Sequence, residues 1–104
     1  MATPKRIYKG QPTAAGGVLY TAPGGGGGAI IRAVRAVNTD AVGRWLRLGT
    51  AGTTDADLLL PQLPIDPSGM AQDDGLIILE PGQAIHGKAE VDAKLTVHIF
   101  GMEL

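Results

Sequence analysis

The sequence predicts an all-β domain, an antiparallel β-sandwich of jelly-roll type with about seven or eight strands, and three observations point there. Sixteen Gly and seven Pro punctuate 104 residues at short intervals, the pattern of many short strands joined by turns. Several segments between those turns alternate apolar and polar residues with period two, which sends one set of side chains to a core and the other outward. Apolar residues make up 44% of the chain and charged ones 18%, enough to build a folded interior. That interior is aliphatic, since the aromatic residues are Trp45, Phe100, Tyr8 and Tyr20.

Taken in order, residues 1–17, with Pro4, Pro12, Gly10, Gly16 and Gly17, read as an extended N-terminal arm, and 18–104 as the sandwich domain. Val18 to Thr21 is a short strand ended by Pro23. Ala29 to Val37 is ambiguous, because Ile30, Ile31, Val34 and Val37 would also share one helical face. Its β-branched content, the glycines before it and the Asn38-Thr39-Asp40 turn after it favour a strand. In 44–48, Leu46 and Leu48 share one side. Residues 49–74 read as a long irregular connection, a kind of segment that often forms contact surface. Leu58, Leu59, Leu60 and Leu63 within it either cap one end of the core or touch a neighbour. Gly75 to Leu79 is a strand stopped by Glu80-Pro81-Gly82, where Pro and Gly suit a type II turn, and 83–89 can be the returning strand. The clearest strand is 94–100, with Leu95, Val97 and Ile99 facing the core.

Charge is unevenly spread. Residues 1–50 hold seven basic residues and one acid, and 51–104 hold Lys88 and Lys94 against nine acids, for a net charge of −1. Either strands of the two halves interleave and the imbalance averages out, or opposite faces meet between subunits and fix register. The overall balance argues against a dedicated nucleic-acid binder. No apolar run approaches the ~18 residues of a membrane span, and the opening residues do not lead into a signal segment. The absence of Cys removes disulfides, thiolate zinc sites and Cys nucleophiles.

Candidate chemistry is sparse, and no catalytic, cofactor or metal residue is assigned. Gly24 to Gly28 and Ala29 match a phosphate-loop spacing, but five consecutive glycines do so automatically and no strand–helix alternation surrounds them. His86 and His98 would need Glu90 or Asp92 to complete a metal site and read as strand residues. Asp55 with Asp57 and Asp73 with Asp74 lack calcium-loop spacing. Ser68, the sole serine, lies in a Pro-Ser-Gly turn without a triad around it. Arg32, Arg35, Arg44 and Arg47 are more informative. Within each strand the two arginines are three apart, so a regular strand would turn one of them inward. A bulge intervenes, or a second subunit covers that face with carboxylates; the alternative to an interface is a simple solvated face. With Leu58, Leu59 and Leu60 they are the candidate subunit interface, and Tyr20 and Trp45 are the candidate ligand contacts of a carbohydrate-binding alternative.

The order of pieces resembles a group of small structural proteins of tailed-bacteriophage virions, labelled minor tail or virion proteins. The resemblance rests on Pro4 to Tyr8, Leu19-Tyr20-Thr21-Ala22-Pro23, Ile30 to Thr39, Leu79-Glu80-Pro81-Gly82-Gln83-Ala84-Ile85 and Val97 to Leu104. It covers most of the chain and fails over 49–74. It implies a non-enzymatic virion subunit assembled in the host cytoplasm. Such a subunit, expected as a homo-oligomer joined to other virion proteins through arm, edge-strand and loop contacts, would belong to the tail, with capsid decoration as the alternative.

Overall fold

The structure, a computed structural model, describes residues 5–50, 55–59 and 62–104. It is all-β, with two antiparallel sheets packed face to face. The described residues form β1 (Lys5–Gly10), β2 (Gly17–Thr21), β3 (Ala29–Asn38), β4 (Arg44–Gly49), β5 (Leu63–Ile65), β6 (Met70–Asp73), β7 (Ile77–Leu79), β8 (Ala84–Ala89) and β9 (Leu95–Glu103). A single 3-10 turn, Asp55–Asp57, interrupts them.

Strand pairing is nested. β1 pairs with β9, β2 with β8, β3 with β7 and β6, and β4 with β5. Alternate pairs go to alternate sheets, and the contacts β9–β3 and β8–β4 close each one. The result is a β1-β9-β3-β6 sheet, in which β7 also pairs with β3, and a β2-β8-β4-β5 sheet. A long hairpin rolled over on itself in this way is the jelly roll. Because β6 and β7 follow one another along β3, nine strands fill eight positions.

The ambiguous segment is strand β3, and the predicted strands appear as β2, β4, β7, β8 and β9. Three expectations need correction. Residues 49–74 are not irregular throughout, since β5 and β6 lie there. Residues 5–10, part of the expected arm, form β1 at the edge of the first sheet. Residues 83–89 do not return along β7. Gln83 N–H donates to the Glu80 carbonyl (2.9 Å) across Pro81 and Gly82, whose φ is +81°. That is the expected type II turn, but it carries the chain from one sheet to the other.

The core is aliphatic. Ile31, Val34, Leu79, Leu95, Val97 and Ile99 of the first sheet meet Leu46, Leu48, Ile65 and Ile85 of the second, all nearly inaccessible. Three bulges break the period of two. At Ile7 in β1 and Leu19 in β2 the register slips, so the neighbours Ile7 and Tyr8, and Leu19 and Tyr20, all pack on the core. In β3 the slip lies between Ile31 and Ala33, and Arg32 is the extra residue. Bulges of this kind also twist an edge away from pairing. Together with three-residue β5 and its Pro64, they leave every open edge short, bulged or deprived of a donor.

Candidate functional site

With few groups capable of chemistry, the surfaces that could act are the outward faces of the two sheets. Residues directly opposite in register share a face, so the pairing maps each face. On the first sheet, Lys9, His98, Arg35 and Gln72 form one row across β1, β9, β3 and β6. Arg6, Phe100 and Ala33 form the next, and Met102, Ile30 and Ile78 the one after. On the other side of the cationic row lie Thr96, Val37 and Met70. Ile78 is 64% and Met70 56% exposed. The His98 and Phe100 rings stack with centroids 6.1 Å apart.

The bulge decides the fate of the arginines. The extra residue shifts the alternation, so Arg32 and Arg35 are both exposed while Ile31 and Val34 are buried. The sequence left a bulge and a covering subunit as alternatives, and the bulge accounts for both side chains. Arg35 Nε and Nη2 donate to Gln72 Oε1 (3.3 and 3.2 Å), and Gln72 Nε2 donates to Asp74 Oδ1 (2.9 Å). Arg6, Lys9 and Arg32 make no ion pair among the described residues.

Arg44 and Arg47 lie elsewhere, on β4. Arg44 is at the rim, with Nε on Asp40 Oδ2 (2.8 Å) and Nη1 on Glu90 Oε2 (3.5 Å). Arg47 points outward, places its guanidinium 5.7 Å from the Trp45 ring centroid and donates from Nε to Gln62 Oε1 (2.8 Å). Leu58 bridges Gly49, and Leu59 N–H donates to the Leu48 carbonyl (2.9 Å) with its side chain against the core. Of the two readings for these leucines, capping the core describes Leu59. Leu60 lies outside the described residues.

The two aromatic ligand candidates are not brought together. Trp45 pairs with Pro64 on the outward face of the second sheet. Tyr20 pairs with Ile85 on the inward face, and its hydroxyl donates to Glu103 Oε2 (2.7 Å). Likewise His86 and His98 face outward from different sheets, and Asp92 accepts a hydrogen bond from Ala14 N–H (2.7 Å). The glycine run leads into a strand, not a helix, so no helix N-terminus backs it. It packs instead on Leu104, whose N–H donates to the Gly28 carbonyl (2.9 Å).

Two ion pairs give the fold a pH signature. Lys5 donates to Glu103, and together with the Tyr20 hydroxyl this holds the Glu103 carboxyl below its ordinary 4.5. Asp40 is held below 3.8, chiefly by Arg44. Burial, then the Glu103 carboxylate, pushes the Tyr20 hydroxyl up. Depressed carboxyls stabilise the fold above their ordinary values, and that contribution is lost as pH falls through the folded-state values. We expect the urea midpoint to fall as pH drops below about 4 and Glu103→Gln to flatten that fall. An unchanged slope in the variant would remove Glu103 as a cause.

No family model matches the chain, and no curated protein matches its sequence. Solved structures do. The chain is similar to one in the acidic stable capsid structure of Helicobacter pylori bacteriophage KHP30, at a TM-score of 0.58 and 10% identity, over 98% of this chain and 93% of that one. It is also similar to one in the capsid asymmetric unit of cyanophage Pam1, at a TM-score of 0.52 and 17% identity, over 99% and 85%. At these identities the likeness is one of fold.

Proposed function

We propose that this chain is a non-enzymatic structural subunit of a phage virion, carried on the capsid. The observation that supports it most is that the likeness to the two phage capsid structures runs end to end, over 98% and 99% of the chain. The surface agrees with a contact role. No three His, Asp or Glu among the described residues gather into a metal-binding group.

This reading moves the site of action from the tail, which the sequence resemblance put first, to the capsid. It also moves the contacts. Edge-strand addition needs a long, regular, open edge, whereas the edges here are short, bulged or proline-bearing. Sheet faces and loops are then the surfaces that meet other virion proteins or further copies of the chain. The carbohydrate-binding alternative loses its two-aromatic platform, because Tyr20 and Trp45 face opposite sides of the second sheet.

The test is to separate heads from tails of purified particles and measure the chain in each by mass spectrometry. We expect it with the heads. Finding it with the tails would overturn the capsid assignment and leave a virion protein, and its absence from both would overturn the virion reading itself.

A further inference from the structure

Mapped onto the fold, the lopsided charge of the sequence does not average out. Strands of the two halves do interleave, with C-terminal β9 between N-terminal β1 and β3. Yet none of the outward residues of β9, namely Thr96, His98, Phe100 and Met102, is an acid. Among the described residues, no acid on the face offsets Arg6, Lys9, Arg32 and Arg35. The strands of this sheet place no carboxylate there, and Asp74, in the interruption between β6 and β7, is tied to Gln72. The acids lie mostly in the connections between strands, and Asp40, Glu90 and Glu103, the last at the end of β9, are already paired.

We propose that the outward face of the β1-β9-β3-β6 sheet is the surface by which this subunit docks on a carboxylate-bearing surface of a different virion protein. The inference rests on the virion reading above. Three features select that occupant. Face-to-face pairing of two copies would oppose four cations to four, a costly juxtaposition. The chain's own acids are dispersed over the connections between strands and partly spent. Nucleic acid is disfavoured because apolar rows flank the cationic ones, with Ile30, Ile78 and Met102 on one side and Val37 and Met70 on the other. Arginine and methionine beside a stacked aromatic pair is the composition of a protein–protein contact. By strand and residue spacing the face covers roughly 500 Å², the scale of the smaller specific interfaces.

The experiment is a competition for incorporation. During phage growth the host supplies a tagged copy of the chain, wild type or variant, and the ratio of tagged to untagged chain in purified particles is read by mass spectrometry. Arg32→Glu/Arg35→Glu and, separately, Arg6→Glu/Lys9→Glu are expected to lower that ratio at least tenfold. Arg47→Glu/Lys88→Glu, on the outward face of the other sheet, should leave it unchanged. All are surface changes, and thermal melts confirm folding. Equal incorporation of the first two variants, or loss only in the third, overturns this face while leaving the virion reading intact. Absence of even the wild-type tagged and untagged chains from particles overturns both. In a parallel arm the purified protein meets a DNA duplex of about 30 base pairs over a salt series. Tight binding that Arg32→Glu/Arg35→Glu abolishes would overturn the choice of a protein partner.

Discussion

Gly28→Ala is expected to destabilise the protein by about 3 kcal/mol or more. Two costs combine. Gly28 has φ +83°, where an alanine Cβ clashes with its own backbone. A Cβ there would also lie 2.0 Å from the Leu79 carbonyl oxygen and 3.0 Å from the Glu80 carbonyl carbon. Neither atom is free to withdraw, because Leu79 is fully buried and paired with Ala29. Gly101→Ala reaches a similar loss without the torsional part, its Cβ falling 2.1 Å from the Ile30 carbonyl oxygen, beside the bulge at Arg32. Gly24 and Gly25 have nothing within 4 Å of such a Cβ, so Gly24→Ala and Gly25→Ala should change stability by no more than about 0.5 kcal/mol. Urea unfolding of the four variants checks the ranking. If Gly28→Ala and Gly24→Ala unfold alike, the glycine run is a spacer and the close approach of β7 to its end is wrong.

The contrast within the glycine run also shows what a sequence can and cannot reveal about this fold. Where alternation is regular, as from Leu95 to Ile99 and at Leu46 and Leu48, the buried face follows from the residues alone. Where a bulge intrudes, period two fails locally. Ile7-Tyr8 and Leu19-Tyr20 are inward pairs, and Arg32-Ala33 is an outward pair. The first slip, with the Pro and Gly residues around it, helped to make β1 look like part of an extended arm, and Arg6 and Lys9 were not among the candidate interface residues. The third was legible as a contradiction, two arginines on opposite faces of a strand in an aliphatic core, but its resolution needed the register. The short strands β5 and β6 left no periodic signal because three or four residues complete at most two alternations. The switch of sheets at Pro81-Gly82 was hidden for a different reason. A type II turn is the same local structure whether the next strand returns beside the last or crosses to the other layer.

Asn38→Leu is expected to cost about 2–4 kcal/mol, although the side chain is similar in volume and the site is closed to water. Asn38 is 1% exposed, the one buried polar residue among those described. It ends β3, and its amide is fully employed. Nδ2 donates to the carbonyls of Val42 (2.9 Å), Ile65 (3.1 Å) and Asp66 (3.2 Å), while Oδ1 accepts from Asp40 N–H (2.9 Å). One side chain thus ties the β3–β4 connection to the end of β5 and to the Asp66–Gly69 turn. Leucine would fill the space and leave those groups without partners, which is the expensive way to lose a hydrogen bond. Asn38→Asp separates bonding from packing. It keeps the acceptor for Asp40 N–H but turns a carboxylate toward three carbonyl oxygens, which raises its folded-state pKa. A raised carboxyl stabilises the folded state at low pH and loses that contribution as pH rises. The deficit of Asn38→Asp relative to wild type should therefore shrink as pH is lowered toward about 4, while that of Asn38→Leu stays constant. Parallel deficits for the two variants across that range would mean that the donors of Asn38 do not hold this end of the roll together.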